Sequence, residues 1–190
     1  LLGEFTLVLL VPLVVAFAVY RARRGVPRRR VELETAFGLY LLLLTAVVLF
    51  PLRVDAGLRA DDAVWDYATF LRDWVNLTPG RTFAQLLARS SPTQALRQLG
   101  GNLLLLAPLG ALVPALAPRM RRFVAMLALA VGSGLGIELV QYLARVARLS
   151  LRSVDVDDAI LNVVGAMLGF ALWWAWRRVR AGRAQVAAER

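Results

Sequence analysis

Cysteine, histidine and lysine are all missing from this 190-residue chain. Without cysteine there is neither a thiol nucleophile nor a disulfide. Without histidine there is no imidazole base, and the usual zinc and copper sites lose their ligands. Chemistry has to come from carboxylates, amides, hydroxyls or arginine. All 23 basic residues are Arg, which fits a GC-rich coding bias better than a selected role. Charge is also scarce, at 19% of residues against 59% that are apolar, and the mean hydropathy is +0.61. Soluble domains rarely run so apolar, so the composition describes a small integral membrane protein with one domain over 1–190. The formal charge of +10 invites a nucleic-acid reading, which the placement of the arginines argues against.

Five apolar spans are expected, at about 5–20, 37–52, 99–117, 123–144 and 159–176, close to the roughly 17–25 residues that cross a bilayer. The third is short and broken by Pro108, so it is expected to tilt or to thin the bilayer locally. The fold class is therefore all-α, a polytopic helical bundle with an external loop at 53–98. In that loop Val64, Tyr67, Leu71 and Trp74 recur at helical spacing behind Asp61 or Asp62 as N-cap, predicting an amphipathic surface helix with Trp65 and Trp74 at the headgroups. Pro79 and Gly80 predict a turn, Thr82 to Arg89 a short helix, and Ser91 with Pro92 a further helix start.

The 21–34 connector, the 118–122 turn and the C-terminal tail carry 14 Arg against three Glu, whereas the alternate connections carry nine Arg against ten acids. Short Arg-rich loops stay cytoplasmic, which puts the N-terminus outside and the C-terminus inside. The basic surface becomes an inner-leaflet anchor rather than a nucleic-acid site, with Trp173, Trp174 and Trp176 as an interfacial belt. Ala16 and Ala18 resemble a signal-peptidase site, but the positive charge follows the apolar run instead of preceding it, so an N-out membrane helix is expected. The chain begins at Leu1, and the length of the first span is expected to be a lower bound.

A carboxylate entering hydrocarbon costs about 2.5–3.5 kcal/mol on insertion scales, so polar groups in spans are informative. Glu138 and Gln141 share a face of the fourth span. Asp158, Asn162, Gly165 and Gly169 follow steps of four, three and four on the fifth, a polar opening that leads into a glycine seam. Gly165/Gly169 and Gly132/Gly136 are small-xxx-small pairs, so the fourth and fifth spans are expected to meet backbone to backbone. Asn102 opens the third span at the same level. With Arg152, Asp155 and Asp157 these residues predict one polar cluster in the outer leaflet.

These residues also carry a resemblance. NLLLLAPLG supplies Asn102, Pro108 and Gly110, and IELVQ supplies Ile137, Glu138 and Gln141. RSVDVDDAILNVVGAMLG supplies Arg152, Asp155, Asp157, Asp158, Asn162, Gly165 and Gly169. In order and spacing they resemble the VanZ-like membrane proteins, with VNLTPG around Asn76 and Pro79 extending the likeness over about 76–174. Leu106 and Gly80 stand where the family pattern has Phe, and Ser133 lies one position early, so no hydroxyl role is carried over. The resemblance implies a multi-pass protein of the bacterial cytoplasmic membrane, associated in the family's namesake with teicoplanin-type glycopeptide resistance.

The leading expectation is a non-catalytic factor that modulates glycopeptide sensitivity or the handling of envelope precursors through a polar pocket open to the outer face. Its partners would be the bilayer and a lipid-linked envelope precursor or a glycopeptide, with no cofactor and no nucleic acid. Arg152 would contact a carboxylate or phosphate, and the acids and Asn162 would complete the pocket. The alternative is an intramembrane enzyme on a lipid or peptidoglycan precursor, with Glu138 as general acid or base and Asp155 or Asp158 as its partner. Asp155, Asp157 and Asp158 are weak metal candidates, because D-x-D-D is far looser than a calcium loop. A channel is disfavoured, since the inner halves of the spans are almost wholly apolar. Without any ligand, Asp155 or Asp157 would cap the fifth helix and the amides would join helices. Pro108, Gly110, Gly165 and Gly169 would be architectural.

Overall fold

The computed structural model describes residues 10–49, 74–147, 149 and 153–188. Helices dominate them: α1 (Val11–Arg23), α2 (Arg28–Leu49), α3 (Arg81–Arg89), α4 (Pro92–Leu105), α5 (Ala107–Leu116), α6 (Phe123–Val146) and α7 (Val156–Ala188), with two short strands, β1 (Val75–Asn76) and β2 (Val154–Asp155). Four helical stretches are long and apolar enough to cross a membrane: α2, the α4–α5 pair over Pro92–Leu116, α6 and α7. Large apolar side chains such as Leu43, Leu104, Val124, Leu135 and Leu172 point outward from all four, as a lipid-solvated bundle requires. The protein is a multi-pass helical membrane protein. The first expected span is described only through α1, and the predicted amphipathic helix around Val64, Tyr67 and Leu71 lies outside the described residues.

Local chemistry sets the helix ends. Gly25, at φ +72°, turns α1 back towards α2, and Glu34 joins the two by accepting from Arg21 Nε and Nη2, each at 2.9 Å. Ser91 begins α4 with a capping box: its hydroxyl accepts from Gln94 N–H at 3.3 Å, and Gln94 Oε1 accepts from Ser91 N–H at 3.2 Å. Helix therefore begins seven residues before the span expected from hydropathy, and the third span is 25 residues long rather than short. Pro108 has no N–H to continue the ladder, and α4 gives way to α5 at Leu106. The Tyr40 hydroxyl, from α2, donates to the Leu105 carbonyl at this break (2.9 Å).

The kinked third span packs along α7. A Cβ on Gly165 would fall 1.8 Å from the Leu103 carbonyl oxygen, one on Gly169 1.9 Å from that of Ala107, and one on Gly110 1.8 Å from that of Ala166. No side chain fits there. The glycine seam thus meets the third span, not the fourth. Gly132 and Gly136 would meet nothing within 4 Å, and only Gly134 touches α7, through Ala159 and Val163. The spacing marks a small face without naming its partner. The partner is the helix whose carbonyls, at Leu103 and Ala107, repeat at the same interval of four. Beside this seam Leu106, Met126, Ala130 and Ala166 are fully buried, and Phe170 stacks on Trp173. Trp173 therefore belongs to the core rather than to an interfacial belt, while Trp174 and Trp176 remain exposed.

The 33 residues of α7 extend about 50 Å at 1.5 Å per residue, well beyond a hydrocarbon core of about 30 Å. Chain direction alternates through the bundle, so the starts of α2 and α6 and the ends of α5 and α7 share one end. The ends of α2 and α6 and the starts of α4 and α7 share the other.

Candidate functional site

At this second end, four spans enclose a cavity of about 620 Å³. Val47 and Val48 of α2 give it an apolar side. Arg97, Gln98 and Asn102 enter from α4, Glu138 and Gln141 from α6, and Asp158 and Asn162 from α7, with Ser153 at the rim. Five residues expected to cluster, Asn102, Glu138, Gln141, Asp158 and Asn162, therefore line one space. Helical steps of three and four put each pair on a common face. Glu138 and Gln141 are buried, and Asn162 is only 1% exposed. The Asn162 Oδ1 atom has no hydrogen-bond partner among the described residues, although a buried amide oxygen ordinarily finds one. Glu138 Oε2 accepts the backbone N–H of Asp155 at 2.8 Å, which fixes the carboxylate at the cavity wall. Arg152 lies outside the described residues.

Asp155 and Asp157 do not line this cavity. Asp155 is the residue before α7, and its Oδ1 accepts the N–H of Asp157 at 2.9 Å, an N-cap bond. The same carboxylate takes Asn76 Nδ2 at 3.0 Å and, through Oδ2, the Thr82 hydroxyl. Asp157, fully buried, turns the other way: its two oxygens accept from Gly80 N–H at 2.6 Å and Thr82 N–H at 2.8 Å. Asp157 thus caps α3 rather than the helix it belongs to. A two-residue parallel ladder, Val75 with Val154 and Asn76 with Asp155, completes the junction. Gly80, at φ +83°, supplies the turn that aims these N–H groups.

The three carboxylates of D-x-D-D therefore do different work: Asp155 and Asp157 clamp the segment over 75–82 to the start of α7, and Asp158 faces the cavity. The clamp donors occupy the oxygens of the first two. Among the described residues no group of three or more acidic side chains is placed to hold a metal.

Arg97, Gln98 and Ser153 also line the cavity, beyond the residues expected from sequence. The first two had a signal, since Gln98 lies one helical turn before Asn102 and Arg97 adjoins it, but both fall ahead of the hydropathy-defined span. Nothing local in the sequence points to Ser153.

An apolar groove of about 470 Å³ opens between α2 and α6, lined by Leu41, Leu44, Leu106 and Val140 among others. It shares Val48 and Ile137 with the polar cavity. Leu41, Thr45 and Val140 on its margins are exposed on the bundle's outer surface. Polar cavity and lipid-facing groove are neighbours across two side chains.

The family model described as VanZ/LLP1 matches residues 37–177, from within α2 to the end of the apolar part of α7. No curated protein and no solved structure matches the chain significantly. Since the match covers most of the chain, with all or most of each long span and every residue that lines the polar cavity, the chain belongs to the VanZ/LLP1 family.

Proposed function

We propose that the whole chain acts as one unit that binds the head of a long-chain lipid, of the class of lipid-linked envelope precursors, and thereby modulates glycopeptide sensitivity of the teicoplanin type. The observation that carries this reading is the adjacency of the polar cavity to the apolar groove between α2 and α6. A lipid with a large polar head needs both, side by side, with lateral access from the bilayer.

The lining suits a head that is polar rather than purely anionic. Arg97 matches a phosphate or carboxylate. Glu138 and Asp158 would instead accept O–H or N–H groups, as sugars and peptides supply. The amides of Asn102, Gln141 and Asn162 serve either kind. The Oδ1 of Asn162 would gain the partner that the described residues do not give it. In this reading the cavity opens outward and the Arg-rich end faces the cytoplasm, with the N-terminus outside and the C-terminus inside. In this reading the action is non-catalytic, with Glu138, held by a backbone N–H, serving as a binding group.

The test uses native mass spectrometry of the purified protein with a polyprenyl-pyrophosphate-linked disaccharide peptide. Wild type should retain it, and Arg97→Gln, Asp158→Asn and Asn162→Leu should each weaken retention about tenfold, or about 1.4 kcal/mol. In parallel, cells expressing these variants at equal membrane levels should lose the teicoplanin tolerance that wild type confers. Retention by all three variants sinks the reading. A converted precursor in the spectrum replaces it with the enzyme reading centred on Glu138.

A further inference from the structure

Five guanidinium groups line a second cavity, of about 490 Å³, at the opposite end of the bundle. Arg29 and Arg30 come from the first turn of α2, Arg121 from the 3-10 turn after α5, and Arg177 and Arg180 from one face of α7. No Asp or Glu stands in the lining. Among the described ion pairs only Arg30, of the five, has a carboxylate, Glu34 at 3.0 Å. Arg121 is directed by a bond from its Nε to the Pro114 carbonyl (3.1 Å).

Apart from Arg30, the cations are held in place with no carboxylate partner among the described ion pairs. Arg29 and Arg180 lie 5.2 and 5.1 Å from the ring centre of a single indole, Trp176, and Arg177 lies 5.6 Å from that of Trp173. Contact with an aromatic ring positions a guanidinium while its N–H donors stay available. Like charges brought this close repel one another, and a phosphate relieves the repulsion with bidentate, charge-assisted hydrogen bonds. The lining is not all basic: Leu33, Leu116 and Ala181 add an apolar wall. An inorganic anion would have no use for that wall, whereas the first methylenes of an acyl chain would.

We infer that this cavity binds the phosphate headgroup of an anionic membrane phospholipid, with its acyl stem against the apolar wall. The site is separate from the polar cavity and does not depend on the reading given to that cavity. Basic pockets between helix ends on the cytoplasmic side are where such headgroups are expected to lodge.

Native mass spectrometry in detergent, with added phosphatidylglycerol, phosphatidylcholine or inorganic phosphate, tests it. Wild type should bind phosphatidylglycerol in preference to phosphatidylcholine, and inorganic phosphate should not displace it. Arg29→Gln/Arg177→Gln/Arg180→Gln should weaken phosphatidylglycerol binding about tenfold. Arg23→Gln/Arg24→Gln/Arg183→Gln, which removes equal charge outside the lining, should leave it unchanged. Equal losses in the two variants would mean diffuse surface attraction and overturn the site. So would equal binding of the two lipids, or displacement by inorganic phosphate, which would reassign the cavity to a soluble anion. Thermal unfolding of wild type needs no variant: phosphatidylglycerol should raise the Tm above that in phosphatidylcholine, and identical Tm values would count against the site even if the triple variant fails to fold.

Discussion

Glu138 has two attributes, a charge facing the cavity and an oxygen that accepts the Asp155 N–H at 2.8 Å. Glu138→Gln keeps an acceptor and removes the charge; Glu138→Ala removes both. An orphaned buried donor costs about 1–3 kcal/mol, so Ala should lower the Tm measurably in detergent while Gln stays near wild type. If the two variants melt together, the backbone bond contributes little, and the residue's importance lies in its charge. At Gly165 the argument is steric. A methyl group placed 1.8 Å from the Leu103 carbonyl forces α4 and α7 apart, and overpacking of this kind costs about 1–3 kcal/mol. Gly165→Ala should therefore lower the Tm, whereas Gly132→Ala, with nothing within 4 Å of the added atom, should leave it within error. A loss of similar size at both positions would contradict the packing described for α7.

The clamp between the segment over 75–82 and α7 is an element-scale device whose strength can be measured locally. Asp157→Ala deprives the Gly80 and Thr82 N–H groups of their acceptor, and loss of such a cap costs about 0.5–2 kcal/mol. Hydrogen exchange should accelerate over Val75–Thr82 while protection in the middle of α7 is retained. Unchanged exchange there would mean that the ladder and Asp155 hold the segment unaided. The helices were legible in the sequence because a bilayer demands long apolar runs, and the cavity residues were legible because charge in such runs stands out. The clamp was not, since it joins residues nearly eighty positions apart through two-residue strands that leave no periodicity. The partner of the glycine seam was hidden for a related reason: Gly-xxx-Gly spacing records how closely something approaches, while the approaching groups are carbonyls, which every residue carries. Asp157 illustrates both effects, since D-x-D-D next to a helix suggests a cap for that helix, and only the fold reveals that it caps another.

Across the whole molecule two unlike cavities sit at opposite ends of one bundle, one mixed in charge and flanked by an apolar groove, the other lined by five arginines. This polarity is what makes orientation consequential. Arginine resists translocation, so the end holding Arg29, Arg121 and Arg177 should face the cytoplasm and the Glu138 cavity the opposite compartment. The lack of any cysteine makes this directly measurable, because a single introduced thiol is the sole labelling site. Leu77, 74% exposed beside the clamp, and Arg119, exposed in the turn after α5, report the two ends. In intact cells a membrane-impermeant maleimide should label Leu77→Cys and spare Arg119→Cys until the membrane is permeabilised. The reverse pattern would leave the helical packing and the family membership untouched. It would also turn the polar cavity towards the cytoplasm, where no glycopeptide reaches it, and the proposed modulation of glycopeptide sensitivity at an outer face would have to be abandoned.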